Sequence, residues 1–216
     1  MDTDAYRSRL RKRASDLSDS MTADILGRAI AAAFQPSTTT RPRKATMYPP
    51  RLYRPDLHFA NVFGALGPER FVTGHHSAGP KDTSDKHALE MCRSYHQAHK
   101  AKNWGGCGYH YCITRKGNVI LLRPLYLKGA HVGGHNSNNV GVMFCGTTGD
   151  TPTVAQRRAL KWLLTYAHTT KMPRSHRADR DLRLAKRYGH RDWAGHSTNS
   201  CPGTHHKLIL SGGTAR

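Results

Sequence analysis

The segment FVTGHHSA, residues 71–78, predicts a short apolar strand that ends at a pair of histidines. Two later segments, GHRDW at 189–193 and CPG at 201–203, add another histidine and a cysteine. Imidazole and thiolate are the ligands that suit a tetrahedral zinc site with one position left open for water. Because the three segments are far apart in the sequence, a fold must bring them together.

Strands and helices alternate after residue 71. Apolar periodicity predicts helices over 83–100 and 153–168 and strands over 109–114, 119–122 and 139–145. Thr153 and Gln156 form a capping-box pattern at the start of the second helix. A turn at 116–118 predicts a hairpin between the strands at 109–114 and 119–122. This alternation indicates an α/β fold in which helices cover a central sheet.

The first part of the chain has a different composition. Spacings of three and four between apolar residues predict a helix over 4–34, and the segment 35–55 is a linker or arm rich in Pro, Thr and Arg. We therefore expect an N-terminal extension over 1–58 and the main domain over 59–216. The helix either packs on the main domain or on itself in a dimer, or contacts a membrane or polymer as a basic helix.

The composition is unusual in its large excess of basic residues. Lys and Arg number 34 against 14 Asp and Glu, which gives a formal net charge of +20. Such a field favours polyanionic partners, namely nucleic acid, acidic membranes or anionic cell-wall polymers. No apolar run is long enough for a transmembrane helix, and no secretory signal is recognisable. The five irregularly spaced cysteines are not typical of a disulfide framework, so we expect a reduced protein.

Each candidate ligand has a rival. His76 competes with His75, and His196 competes with His190. A single histidine in a sequence is more often structural than a metal ligand. Separately, the basic residues over 174–187 predict a polar helix or loop before the segment GHRDW. Spacing alone leaves these alternatives open.

The order of several further segments resembles a known family. These segments are HHSA at 75–78, Trp104, GYHY at 108–111, ITRKGNV at 113–119, GAHVGGHN at 129–136, NNVGV at 138–142, Gly146, GHRD at 189–192 and CPG at 201–203. Over about residues 70–205, the chain resembles the zinc-dependent N-acetylmuramoyl-L-alanine amidases of the type-2 amidase and peptidoglycan-recognition-protein superfamily. The small phage amidases historically called lysozymes belong to it.

The resemblance implies a mixed central β-sheet flanked by helices, with zinc at the floor of a groove. It assigns the metal ligands to His75, His190 and Cys201 and the catalytic tyrosine to Tyr109. Where the family usually has Lys or Thr to polarise the scissile carbonyl, this chain has Asn199. His131 also matches a family position near the groove and is a candidate donor to the oxyanion. From the residues themselves, Thr198 is a further candidate donor if the loop shifts, and Asp192 either holds a histidine or a turn or pairs with Arg191.

The implied reaction is hydrolysis of the amide between N-acetylmuramic acid and L-alanine of the stem peptide by zinc-activated water. The implied role is a phage endolysin, a monomer that is made in the host cytoplasm and reaches the cell wall after release. Its partners would be bacterial peptidoglycan and anionic wall polymers. Two alternatives remain, a catalytically weak peptidoglycan-binding module of the same fold, and a basic nucleic-acid-binding protein with structural zinc.

Overall fold

The computed structural model describes residues 49–214, which form a six-stranded sheet with helices packed on it. The strands are β1 (Leu52–Tyr53), β2 (Phe71–His76), β3 (Tyr111–Ile113), β4 (Val119–Leu121), β5 (Asn139–Phe144) and β6 (Lys186–Gly189). Their order across the sheet is β1-β4-β3-β5-β2-β6. All neighbouring strands are parallel except β3 and β4, which are antiparallel. The expected mixed sheet flanked by helices is confirmed.

The hairpin between β3 and β4 closes at the turn that the sequence predicts. Gly117 has a φ of 81°, a left-handed conformation that glycine adopts without steric cost. The Gly117 N–H donates to the carbonyl of Thr114 at 2.9 Å, and the Thr114 N–H donates to the carbonyl of Asn118 at 2.9 Å. These bonds set the register in which Tyr111 lies opposite Leu121.

Within residues 49–214, three α-helices accompany the sheet: α1 (Asp85–Ala101), α2 (Val154–Tyr166) and α3 (His206–Leu210). Ser84 caps α1 by accepting a hydrogen bond from the His87 N–H. The capping box predicted for α2 is present, with Thr153 and Gln156 bonded to each other's backbone. Such caps satisfy N–H groups that the first turn of a helix leaves without partners.

The two faces of the sheet carry different layers. Alternation along β3 sends Tyr111 into a core with Leu160 of α2, whereas Cys112 joins a second core with Ala88 of α1. Tyr109 packs against this second core. The α1 face of the sheet is therefore the one on which Tyr109 lies, and α2 covers the opposite face.

Several boundaries differ from the sequence prediction. β1 lies inside the segment predicted as a linker and pairs with β4, so the sheet begins before residue 59. The proline-rich composition of this segment gave no sign of a strand, because the two residues of β1 are stabilised by pairing with β4. β2 continues to His76, and the basic segment is a polar loop with short 3-10 turns that ends in β6. The predicted helix over 4–34 lies outside the described residues.

The five cysteines are buried and form no disulfide. Among residues 49–214, no helix combines the length and apolarity that crossing a bilayer requires.

Candidate metal centre and groove

Three predicted ligands come together at one end of the sheet. One ligand atom from each of His75, His190 and Cys201 lies within 4.8 Å of the others. β2 and β6 are neighbours, and Gly74 pairs with Gly189. This register places the residues that follow, His75 and His190, side by side, and their ring centroids are 4.8 Å apart.

The loop before α3 holds Cys201 in place. The Cys201 N–H donates to Asn199 Oδ1 at 2.8 Å, and its carbonyl accepts from the Arg191 N–H at 3.1 Å. The backbone N–H of His76 donates to Cys201 Sγ at 3.4 Å. Gly203 has a φ of 61°, and a Cβ there would clash with the carbonyl of Thr148, so a side chain at this position would disturb the loop.

The donor set fits a zinc ion. Cys201 Sγ and His75 Nδ1 are 3.7 Å apart. Zn–S and Zn–N bonds of about 2.3 and 2.0–2.1 Å in a tetrahedron would separate two such atoms by about 3.6 Å. A soft thiolate with two imidazoles is also the chemistry that zinc prefers.

The protonation of the ligands agrees with this fit. Burial lowers the pKa of His190 to about 4, so its ring is neutral at pH 7. Burial, with His131 and His190 nearby, also lowers the pKa of His75. Burial raises the pKa of the Cys201 thiol to about 11, so a nearby cation is needed to hold it as a thiolate. The site as a whole therefore favours a divalent cation.

The ring of His76 is engaged elsewhere. Its Nδ1 accepts a hydrogen bond from the Ala78 N–H at 3.0 Å, and its Nε2 lies 2.8 Å from Thr148 Oγ1. Of the two adjacent histidines, only His75 has a ring nitrogen within the group that could hold a metal.

His131 lines the groove, and each of its ring nitrogens contacts another residue. Its Nδ1 lies 3.1 Å from His75 Nε2, and its Nε2 lies 3.0 Å from the carbonyl of Asn139. Both ring nitrogens thus already have partners within the fold, and the role of His131 as an oxyanion donor stays a prediction. The sequence could not show this because both partners come from distant segments.

A groove of about 600 Å³ is lined by His190, one of the three candidate ligands. Its apolar lining includes Phe63, Trp104 and Val132, and its polar lining includes His190 and Asn199. Sequence reasoning missed Phe63 and Val132, whose residue types carry no chemical signal. Lys102, His99 and His196 also line it.

Tyr109 lies on the groove beside the candidate metal centre. Its ring centroid is 5.0 Å from that of His75. Burial raises the pKa of Tyr109, so its phenol stays protonated at neutral pH. The hydroxyl makes no hydrogen bond within residues 49–214, and it is available as a donor to a bound molecule.

Asn199 and Thr198 differ in position. Asn199 lines the groove, and because its Oδ1 accepts from the Cys201 N–H, its amide nitrogen is the group left to donate. Thr198 is exposed and is not part of the groove lining. Of the two candidates for the oxyanion donor, the geometry favours Asn199.

Asp192 supports the turn that carries His190. One carboxylate oxygen accepts from the Gly189 N–H at 2.7 Å, and the carboxylate pairs with His206 Nε2 at 2.7 Å. This is the turn-holding role expected from the sequence. The partner is His206 rather than Arg191.

Arg123 is a buried support that sequence reasoning missed. Its guanidinium is fully buried and donates to the carbonyls of Trp104, Gly106, Cys107 and Lys128. Its backbone N–H donates to the carbonyl of Tyr109 at 3.0 Å. Arg123 thereby fixes the segment that presents Trp104 and Tyr109 to the groove.

Comparisons with known proteins agree with this geometry. The profile of the Amidase_2 family, described as N-acetylmuramoyl-L-alanine amidase, matches residues 66–204. Peptidoglycan-recognition protein SC2 of Drosophila melanogaster is 36% identical over 98 residues, which are 43% of this chain and 52% of that protein. The chain thus spans about half the length of the curated relatives it matches.

Solved structures share the fold at lower identity. Drosophila PGRP-LB superposes with a TM-score of 0.59 at 23% identity, over 74% of this chain and 91% of that one. The N-acetylmuramoyl-L-alanine amidase LysC from Clostridium intestinale gives 0.55 at 21% identity, over 71% and 89%. These structures bear on the architecture alone, and they agree with the mixed sheet and its helices.

Proposed function

Because the chain belongs to the N-acetylmuramoyl-L-alanine amidase family, we propose that it hydrolyses peptidoglycan between the lactyl group of N-acetylmuramic acid and L-alanine of the stem peptide. Water adds to the carbonyl carbon, the C–N bond breaks, and a lactyl carboxylate and an alanine amine are released. The observation that carries the proposal is the convergence of His75, His190 and Cys201, of which His190 lines the groove.

We propose zinc as the metal of this site, held by His75, His190 and Cys201. When bound, zinc supplies Lewis acidity and lowers the pKa of a water in contact with it to about 7. The support is the donor set and the 3.7 Å separation of Cys201 Sγ from His75 Nδ1. The chain's own contribution is to keep both imidazoles neutral by burial and to hold the cysteine loop against β2.

Two side chains would act on the reacting amide. The protonated hydroxyl of Tyr109 orients the attacking water or the substrate oxygen as a hydrogen-bond donor. The amide nitrogen of Asn199 donates to the oxygen that gains charge as water adds. Removing one such donor typically lowers kcat by about 10²–10³.

The test uses purified murein and the full chain. We expect soluble stem peptides with a new N-terminal L-alanine, and glycan strands that keep intact N-acetylmuramic acid, as seen by mass spectrometry. Cleavage within the glycan, or within the peptide alone, would contradict the amidase assignment. If the protein binds zinc and murein but releases no peptide, it is instead a peptidoglycan-binding module. The observation that favours a binding module is that Asn199 stands where the family usually has Lys or Thr.

We also propose that a basic ribbon over 171–187 binds anionic wall polymers. Every third residue from 171 to 186 is basic: Lys171, Arg174, Arg177, Arg180, Arg183 and Lys186. Between them, Met172, Ala178, Leu182 and Ala185 are buried in the core that includes α2. The ribbon therefore lies with the α2 layer, whereas Tyr109 packs on the α1 layer. A polymer on the ribbon would leave the groove open.

The ribbon is tested by the salt dependence of binding to wall fragments. Replacing the exposed Arg174, Arg180 and Lys186 by Gln should weaken binding at low salt and flatten its decline as salt rises. The matched control replaces three exposed basic residues of α1, Lys86, Arg93 and Lys100. Equal losses in the two triple variants would show that net charge, and not the ribbon, attracts the polymer.

Finally, we propose that the protein acts as an endolysin on a bacterial host wall, from the cytoplasm and after release. Its support is the family together with the basic charge, which favours an anionic envelope. Expression in host cytoplasm should leave cells intact until a separate membrane-permeabilising protein is induced, and lysis should then follow within minutes. Lysis without that protein, or none with it, would contradict this role.

A further inference from the structure

Each candidate imidazole ligand contacts a second histidine on its outer side. His75 Nε2 lies 3.1 Å from His131 Nδ1, and His190 Nε2 lies 3.1 Å from His196 Nδ1. The two pairs have the same form although they come from unrelated segments. His131 lies in the loop before β5, and His196 lies between His190 and Cys201.

Backbone carbonyls fix the direction of both contacts. The Nε2 atoms of His131 and His196 lie 3.0 Å from the carbonyls of Asn139 and Gly133. A carbonyl only accepts, so each of these Nε2 atoms carries the hydrogen. A neutral imidazole has one N–H, so each Nδ1 of the outer pair accepts from the ligand histidine. The ligand histidines then carry hydrogen on Nε2 and have an unprotonated Nδ1.

We infer that His131 and His196 are positioning residues, which set the tautomer and the ring orientation of His75 and His190 so that both Nδ1 lone pairs face the thiol of Cys201. This inference rests on the proposed zinc function. The 3.7 Å separation between His75 Nδ1 and Cys201 Sγ is the contact that such an orientation produces. Outer partners of this kind stabilise metal sites by holding ligands in the binding form.

The packing around His131 agrees with a fixed ring. A Cβ at Gly129 would lie 2.6 Å from His131 Cδ2, and a Cβ at Gly141 would lie 2.7 Å from the same atom. Two glycines thus make the space that the ring occupies. A larger side chain at Gly129 or Gly141 would displace the ring of His131.

His196 also connects the loop after His190 with the loop that contains Gly133. Replacing His196 could therefore weaken zinc binding by loosening these loops rather than by freeing the ring of His190. The loop that contains Gly133 is tied to the loop after His190 by a second contact, in which His135 stacks on Trp193 at 4.8 Å and lies 3.1 Å from the carbonyl of Ala194. A variant of His135 loosens the same pair of loops and leaves the contact between His190 and His196 in place. It is therefore the matched control.

The experiment measures zinc affinity by competition with a chromophoric chelator in four full-length proteins. Relative to wild type, His196→Leu should bind zinc about 10–100-fold more weakly. His196→Asn should recover most of this loss, because Asn Oδ1 is bonded to Cγ as Nδ1 is and can accept from His190. His135→Leu should bind as wild type does.

Three results would overturn the inference: an unchanged affinity in His196→Leu, an equal loss in His135→Leu, or no recovery in His196→Asn. A second readout needs no variant and no metal. Long-range ¹H–¹⁵N correlation spectra of wild type should show His75, His131, His190 and His196 with hydrogen on Nε2. Hydrogen on Nδ1 of His131 or His196 would contradict the inference, whereas a wild type that binds no zinc would contradict the proposed function instead.

Discussion

Acid should destabilise the fold through His205, which lies in the core without a partner. Its side chain is 0% exposed, and neither ring nitrogen has a hydrogen-bond partner within residues 49–214. Its ring stacks on Phe144 with centroids 4.9 Å apart. Burial, with His76 nearby, lowers the pKa of His205 to about 4, so the ring is neutral in the folded protein.

The sign and size of the effect follow from linkage. In the unfolded chain a histidine has a pKa of about 6.5, so acid favours the unfolded state, which binds the proton first. Above a pH of about 6.5, His205 is neutral in both states and does not oppose folding. As the pH falls from about 6.5 toward 4, protonation of the unfolded chain lowers the free energy of unfolding. Between pH 7.5 and 5.0, a folded pKa of about 4 corresponds to a loss of about 2 kcal/mol.

The test is His205→Phe, which keeps a ring against Phe144 and removes the titration. Urea unfolding followed by circular dichroism at pH 7.5 and 5.0 gives the free energy of unfolding of each protein. We expect the variant to lose about 2 kcal/mol less than wild type over this interval. The other buried histidines titrate equally in both proteins and cancel in the difference.

His176→Phe is the matched comparison. Burial also lowers the pKa of His176 to about 4, but its Nε2 donates to the carbonyl of Leu122 at 2.9 Å. This variant should also lose less stability in acid, but at pH 7.5 it should be about 1–3 kcal/mol less stable than wild type, because it leaves that carbonyl unpaired. Equal losses between pH 7.5 and 5.0 in wild type and His205→Phe would refute the reasoning.

Other side chains give separate predictions. Tyr109→Phe should retain zinc and lower kcat on murein by about 10²-fold, measured as peptide release; an unchanged kcat would remove the hydroxyl from the mechanism. Asn199→Asp keeps the acceptor for the Cys201 N–H but loses the amide donor, so kcat should fall by about 10²–10³ with zinc content intact. Loss of zinc instead would mean that Asn199 acts on the cysteine loop. Arg123→Met should reduce the free energy of unfolding by more than about 3 kcal/mol in urea denaturation, because several buried carbonyls lose their donor; a smaller loss would show that water replaces the guanidinium.

Much of the fold could be predicted from local patterns. The capping box at Thr153, the glycine turn at Gly117 and the apolar run that begins at Phe71 each act over a few residues, and each element formed where it was expected. β1 was missed because Leu52 and Tyr53 are extended by pairing with β4, a contact with residues far along the chain. Short edge strands depend on such long-range pairing more than on their own sequence.

The candidate site divides in the same way. Its three ligand types were identified from residue chemistry and order, and the register of β2 with β6 explains why two of them meet. The contacts of His131 could not be predicted, because its two partners, His75 and the carbonyl of Asn139, are set by tertiary packing. Arg123 gave no sequence signal, since its partners are backbone carbonyls.

The central claim is that Cys201 completes a zinc site that hydrolyses the murein amide. Its most direct test is the release of N-terminal L-alanine from purified murein by wild type and Cys201→Ala at equal amounts of folded protein, with zinc content determined on the same samples. Cys92→Ala removes a buried thiol outside the site and serves as the control. The account predicts that wild type and Cys92→Ala retain zinc and release peptide, and that Cys201→Ala does neither. Release of peptide by Cys201→Ala at the rate of wild type would contradict it.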